Sequence, residues 1–93
     1  MKITVVGAGY VGLSLSVLLS QKYDVIALDN NQSRVSQINK RNSYIKDLEI
    51  EKFFKNEPLS LTATVDKNFA YKDSKIIIIA TPTNYDQDTG KFD

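Results

Sequence analysis

The 93-residue sequence contains neither cysteine nor histidine. Without cysteine there is no disulfide, no thiolate metal site and no thiol nucleophile in these residues. Without histidine the commonest general base near neutral pH is missing. An excess of one charge is missing too: 12 basic residues stand against 11 acidic ones, evenly spread, for a net charge of +1. That balance argues against a nucleic-acid partner and against an anionic membrane surface. No repeat and no low-complexity linker divides the chain. The stretch between Lys2 and Lys22 carries no charge, as a signal peptide or a membrane span would. Gly7, Gly9, Gly12, Ser14, Ser16 and Ser20 interrupt it, however, and its pattern changes from strand-like to helical midway. It reads as a buried strand–helix unit of a soluble cytoplasmic protein. A chain of this length is one small domain or part of one, burying about 60–65% of its unfolded surface.

What the sequence does have is concentrated at its start. Met1–Val6 reads as a β-branched strand, Val11–Lys22 as a helix, and Gly7, Gly9 and Gly12 between them fit the spacing G-x-G-x-x-G. A strand running through such a turn into a helix is the setting in which these glycines count as a dinucleotide-binding fingerprint. Gly7 is expected to make the tight turn, Gly9 to let backbone approach a diphosphate, and Gly12 to let the helix lie close to its strand. Ser16, one turn later, keeps that face small. The helix start would offer free N–H groups and partial positive charge to the phosphates. A second cue follows on schedule. Val25-Ile26-Ala27-Leu28 ends in Asp29, roughly 20 residues past Gly7, where an acid reading the adenosine ribose is expected. The alternative for Asp29 is a cap on the next helix.

The rest of the chain alternates strands with helices. Val11, Leu15, Leu18 and Leu19 recur at helical spacing and are expected to face the sheet. Residues 24–28 form a strand buried on both faces. Asn30–Arg41 forms a second helix capped by Asn30 or Asn31, with Val35 and Ile38 inward. On it Arg34 falls near a ribose or adenine, with an ordinary solvated arginine as the equal alternative. Residues 42–45 read as connector. Asp47 caps a helix ending near Asn56, with Ile50, Phe53 and Phe54 as its apolar face and Pro58 as its stop. Residues 61–65 alternate as an edge strand does, and Asp66–Lys72 forms a short helix anchored by Phe69. Ile76–Ala80 is the most apolar run and ends in Thr81-Pro82-Thr83-Asn84. Asp86–Gly90 lacks the ligands of a calcium loop and reads as a solvated turn.

These elements predict an α/β fold: a Rossmann-type parallel sheet, partial, in the order 3-2-1-4, with helices on both faces. Ligands bind beyond the carboxyl ends of strands 1 and 4 in such a sheet, where strand order reverses. Gly7–Gly12 and Thr81–Asn84 would then flank one crevice. Thr81 and Thr83 hydroxyls suit a ribose or nicotinamide edge, or serve ordinary turn chemistry. An open last strand, residues 75–80, would also invite self-association or a returning tail.

Met1 to Ser14 with Gly-Tyr-Val-Gly at 9–12, Asp29, and Ile-Ile-Ala-Thr-Pro-Thr-Asn at 78–84 together resemble the N-terminus of the UDP-glucose/GDP-mannose dehydrogenase family across essentially the whole chain. The resemblance implies that residues 1–93 are the N-terminal part of an NAD-binding domain, with NAD as cofactor. It implies pyrophosphate contacts from the Tyr10 and Val11 backbone, ribose contact from Asp29, adenosine-side contact from Arg34, and contact near the reactive end from Thr83. It implies that the nucleotide-sugar substrate, oxidised from a C6 alcohol to a carboxylate in two NAD-dependent steps, meets its catalytic cysteine and lysine in later segments. UDP-glucose is the substrate expected. GDP-mannose, another UDP-sugar, or a non-catalytic NAD-binding redox sensor are the alternatives.

Overall fold

The computed structural model describes residues 1–80, 85–86 and 91–92. Four parallel strands, β1 (Lys2–Val6), β2 (Asp24–Leu28), β3 (Leu61–Thr64) and β4 (Ile76–Ile79), form one sheet in the order β3-β2-β1-β4. The expected strand order is therefore observed. Between the strands lie α1 (Tyr10–Leu19), α2 (Gln32–Asn39), α3 (Leu48–Asn56) and α4 (Lys67–Tyr71). A separate antiparallel pair joins β5 (Tyr85–Asp86) to β6 (Lys91–Phe92).

Strand alternation divides the core into two unequal layers. Ile3, Val5, Val25, Ala27, Leu61 and Ala63 point to one face and pack against Leu13 and Val17 of α1, Val35 and Ile38 of α2, and Ile50 and Phe54 of α3. The other face offers Ile26, Leu28 and Val6 to Ala70 of α4. Each fully buried large aliphatic side chain contributes about 1.5–3 kcal/mol, so the three-helix face dominates. The short α4 leaves the second face thin, and Ile77 and Ile79 of β4 are exposed. Thr4 is buried there because its hydroxyl donates to Ala70 O at 2.5 Å and meets Ser74 Oγ at 2.5 Å.

Several expectations need correction. The sheet-facing stripe of α1 is Gly12, Leu13, Ser16 and Val17, whereas Val11 and Leu18 are exposed. The small residues select this stripe, because only they let the helix axis approach the strands. The same helix stops at Leu19, short of Lys22: the Ser20 hydroxyl donates to Val17 O at 2.9 Å, and Lys22 and Tyr23 N–H groups both turn back to Leu19 O. Helix α2 is capped by Asn31, whose side chain accepts from Arg34 N–H, and ends at Asn39 before Arg41 enters the left-handed region at φ 60. Phe69 does not anchor α4: it is exposed, and Ala70 is the buried contact. Asp47 and Asp66 cap α3 and α4 as expected.

The two sheet edges differ. Asn39 pairs with the outer edge of β3 as a strand would, its Nδ2 donating to Ala63 O at 3.0 Å and its Oδ1 accepting from Ala63 N–H at 2.8 Å. Arg41 reaches Leu61 O and Leu59 O on the same edge. Side chains at and just past the end of α2 thus close the outer edge of β3. On the other side β4 pairs with β1 alone, and no strand among the described residues lies on its outer edge.

Candidate functional site

The carboxyl ends of β1 and β2 open into a cleft of about 400 Å³ lined by Val6, Gly7, Ala8, Gly9, Leu28, Asp29, Asn30, Arg34, Val65, Lys67 and Tyr71. The turn that forms its floor depends on each glycine differently. Gly7 sits at φ 97, a region L side chains avoid, and its N–H donates to Leu28 O at 2.7 Å. A Cβ on Gly12 would fall 1.8 Å from Gly7 O and 3.3 Å from the Ala80 side chain. Gly12 is therefore required by the fold itself. Gly9 is different: at φ −71 any residue is tolerated, and a Cβ there would meet nothing within 4 Å among the described residues. Nothing in the described chain demands glycine at position 9. The empty space above it is where a ligand's atoms could lie against backbone.

Gly9 is also the N-cap of α1, and it offers no side-chain cap. Helices α2, α3 and α4 each have an Asn or Asp side chain in that place. The first turn of α1 contains no acid either, so its N–H groups and partial positive charge stay open to an outside anion. Tyr10 and Val11, the first residues of this turn, are both exposed.

Asp29 stands across the cleft, 8% exposed. It does not cap α2, a task that falls to Asn31. Its Oδ2 accepts from Ala8 N–H at 2.7 Å and its Oδ1 from Asn31 N–H at 2.8 Å. A carboxylate has about four lone-pair sites, so both oxygens keep capacity for further donors such as vicinal hydroxyls. Arg34 lies at the cleft wall with Nη1 3.7 Å from Asp29 Oδ2, its guanidinium 5.6 Å from the centre of the Tyr44 ring. Its side chain is 41% exposed.

Gly7, Gly9, Asp29 and Arg34 are brought together in one cleft, with Tyr10, Val11 and Gly12 following on the helix that starts at its rim. Thr81 and Thr83 lie outside the described residues, as does the Gln87–Gly90 part of the expected turn. Lys67, Tyr71 and Val65, which line the cleft, carry no sequence signal, because all three follow β3 and reach the glycine turn only once β3 and β1 lie in one sheet. Tyr44 was hidden within the supposed connector. Its hydroxyl donates to Ala8 O, and burial, its largest influence, pushes its pKa up to about 12. Nearby, Tyr10 OH donates to Asp47 Oδ2 at 2.7 Å, which raises the tyrosine's pKa and lowers that of the carboxylate.

A glycine turn, an uncapped helix start and a buried acid at the end of the second strand suit a dinucleotide. Comparison with known proteins points the same way. The chain is 50% identical over 93 residues to the UDP-glucose 6-dehydrogenase of Streptococcus pneumoniae, covering 100% of this chain and 24% of that protein. It is 42% identical over 95 residues to the enzyme of the same name from Campylobacter jejuni, again covering 24% of it. The chain therefore spans about a quarter of the length of these relatives. Among solved structures, a ternary complex of GDP-mannose dehydrogenase from Pseudomonas aeruginosa superposes with a TM-score of 0.83 at 28% identity, covering 100% of this chain and 22% of that one. Residues 1–93 match the model of the NAD binding domain of the UDP-glucose/GDP-mannose dehydrogenase family, and the chain belongs to that family.

Proposed function

We propose that this chain is the cofactor-holding part of an NAD-dependent nucleotide-sugar dehydrogenase, with UDP-glucose, oxidised at C6 to UDP-glucuronate in two steps, as substrate. The observation that carries the reading is the pairing of an unoccluded Gly9 at an uncapped helix start with a buried Asp29 that keeps acceptor capacity. The Tyr10, Val11 and Gly12 N–H groups are assigned to the diphosphate, Asp29 to the adenosine ribose hydroxyls, and Arg34 to the adenosine side. Thr81 and Thr83 are assigned to the half of the cofactor nearer the reacting carbon. When bound, NAD supplies the hydride acceptor. The residues described here bind and orient it and contribute no thiol or imidazole to the chemistry.

The 50% identity to a UDP-glucose 6-dehydrogenase favours UDP-glucose over GDP-mannose. Steady-state NADH formation by the full-length protein tests the assignment, with UDP-glucose, GDP-mannose, UDP-N-acetylglucosamine and UDP-N-acetylmannosamine offered separately. Two NADH per UDP-glucose, and little with the others, is expected. A preference for another sugar nucleotide refutes the substrate. NAD binding without turnover of any of them favours the non-catalytic alternative.

A further inference from the structure

Both backbone polar groups of Ala8, at the middle of the glycine turn, are held by side chains from elsewhere. Its N–H donates to Asp29 Oδ2 at 2.7 Å, and its carbonyl accepts from the Tyr44 hydroxyl. A peptide unit is planar and trans, and no cis bond occurs among the described residues. The direction of the Ala8 carbonyl therefore fixes the Gly9 N–H, which points the opposite way. That N–H meets no acceptor among the described residues, and Gly9 itself lines the cleft.

Tyr44 is itself well placed to act as a fixed donor. Its ring packs against the main core and lies under the Arg34 guanidinium. Ser43 next to it bonds Ile45 within the same segment, and Asp47 at the segment's end accepts from Tyr10 OH. The segment between α2 and α3 is thus fastened to the turn at Ala8 and to the first residue of α1. Burial keeps the Tyr44 proton in place, its pKa pushed up to about 12, so the hydroxyl remains a donor throughout the physiological range.

We propose that Tyr44 is a positioning residue for the diphosphate: by holding the Ala8 carbonyl it aims the Gly9 N–H into the cleft. The proposal rests on the cofactor reading above and adds a residue that touches no part of the dinucleotide. The test uses the full-length protein and Tyr44→Phe, which keeps the ring beneath Arg34 and removes only the hydroxyl. Dissociation constants are measured for NAD, for ADP-ribose, which carries the diphosphate, and for adenosine, which does not. Loss of one well-made hydrogen bond predicts about five- to tenfold weaker binding of NAD and ADP-ribose, with adenosine unchanged within about twofold. The ratio of the ADP-ribose and adenosine constants belongs to folded molecules alone, so partial unfolding does not mask it. Equal weakening of both ligands, or of neither, overturns the proposal. A wild-type protein that binds neither NAD nor ADP-ribose overturns the cofactor reading, and this proposal with it.

Discussion

Gly9 and Gly12 belong to one motif, yet the structure separates the reasons for them, and alanine at each position should fail differently. At Gly12 the new Cβ would sit 1.8 Å from Gly7 O, about 1.6 Å inside an ordinary contact. The turn cannot yield without breaking the Gly7–Leu28 hydrogen bond at 2.7 Å, so α1 must retreat. Retreat loosens Leu13 and Val17, 0% and 2% exposed. A gap of 0.5–1 Å forfeits about a quarter to a half of each dispersion contact, and strain adds about 1–3 kcal/mol. Better helix propensity returns about 1 kcal/mol. The net loss is about 3 kcal/mol, a large share of the roughly 5–14 kcal/mol available to 93 residues. Gly9→Ala meets nothing within 4 Å at φ −71 and should change stability by no more than about 1 kcal/mol, the cost of alanine at an N-cap. Its methyl group would nevertheless keep a diphosphate off the first turn of α1. Losing two charge-assisted hydrogen bonds at about 1.5–3 kcal/mol each implies roughly 100-fold weaker NAD binding or worse. Thermal unfolding without ligand and calorimetric titration with NAD, on both variants, separate the two effects. If Gly9→Ala unfolds as readily as Gly12→Ala, or binds NAD like the wild type, the division of labour drawn here is wrong.

NAD should bind at least 100-fold more tightly than NADP. A 2′-phosphate about 4 Å from the Asp29 carboxylate is repelled by roughly 4 kcal/mol per unit charge at an effective dielectric near 20, while Arg34 is already engaged by Asp29 and Tyr44; parallel titrations giving equal affinities would contradict this. Ser16→Ala should stabilise the chain by about 1 kcal/mol, since Ser16 Oγ is buried without a hydrogen-bond partner among the described residues and alanine is the better helix former; a lower melting temperature would show that the hydroxyl has a partner. Residues 1–93 alone should self-associate through the open edge of β4, and Ile77→Lys, at a position 48% exposed, should suppress it; light scattering that finds a wild-type monomer at high concentration removes that expectation.

The parts of the fold legible in the sequence were those fixed by local chemistry. Strand runs, Asx caps at Asp47 and Asp66, and the glycine spacing each act within a few residues, and each appears where expected. The sheet order followed from the alternation of strands and helices, because right-handed crossovers leave few arrangements. What stayed hidden depends on pairs distant in sequence. On α1, Gly12 and Ser16 face the strands as their small size predicts, whereas the apolar partners are Leu13 and Val17 in place of Val11 and Leu18, because hydrophobic spacing alone does not say which side of a helix carries the close approach. Asn39 and Arg41 looked like the polar end of a helix, and only the return of the chain at Leu61–Ala63 makes them the seal of a sheet edge. Tyr44 is the same kind of case: an aromatic in a connector has no periodicity, and its partner Ala8 lies 36 positions away. The candidate site divides along that line. Residues expected to touch the cofactor form a short motif, because they must share one turn and one strand end. Those that hold the turn in shape come from wherever the chain passes close by, and Asp29 belongs to both groups, because the carboxylate assigned to ribose also holds Ala8 N–H at 2.7 Å. Replacing Asp29 to alter cofactor choice would therefore also release the turn.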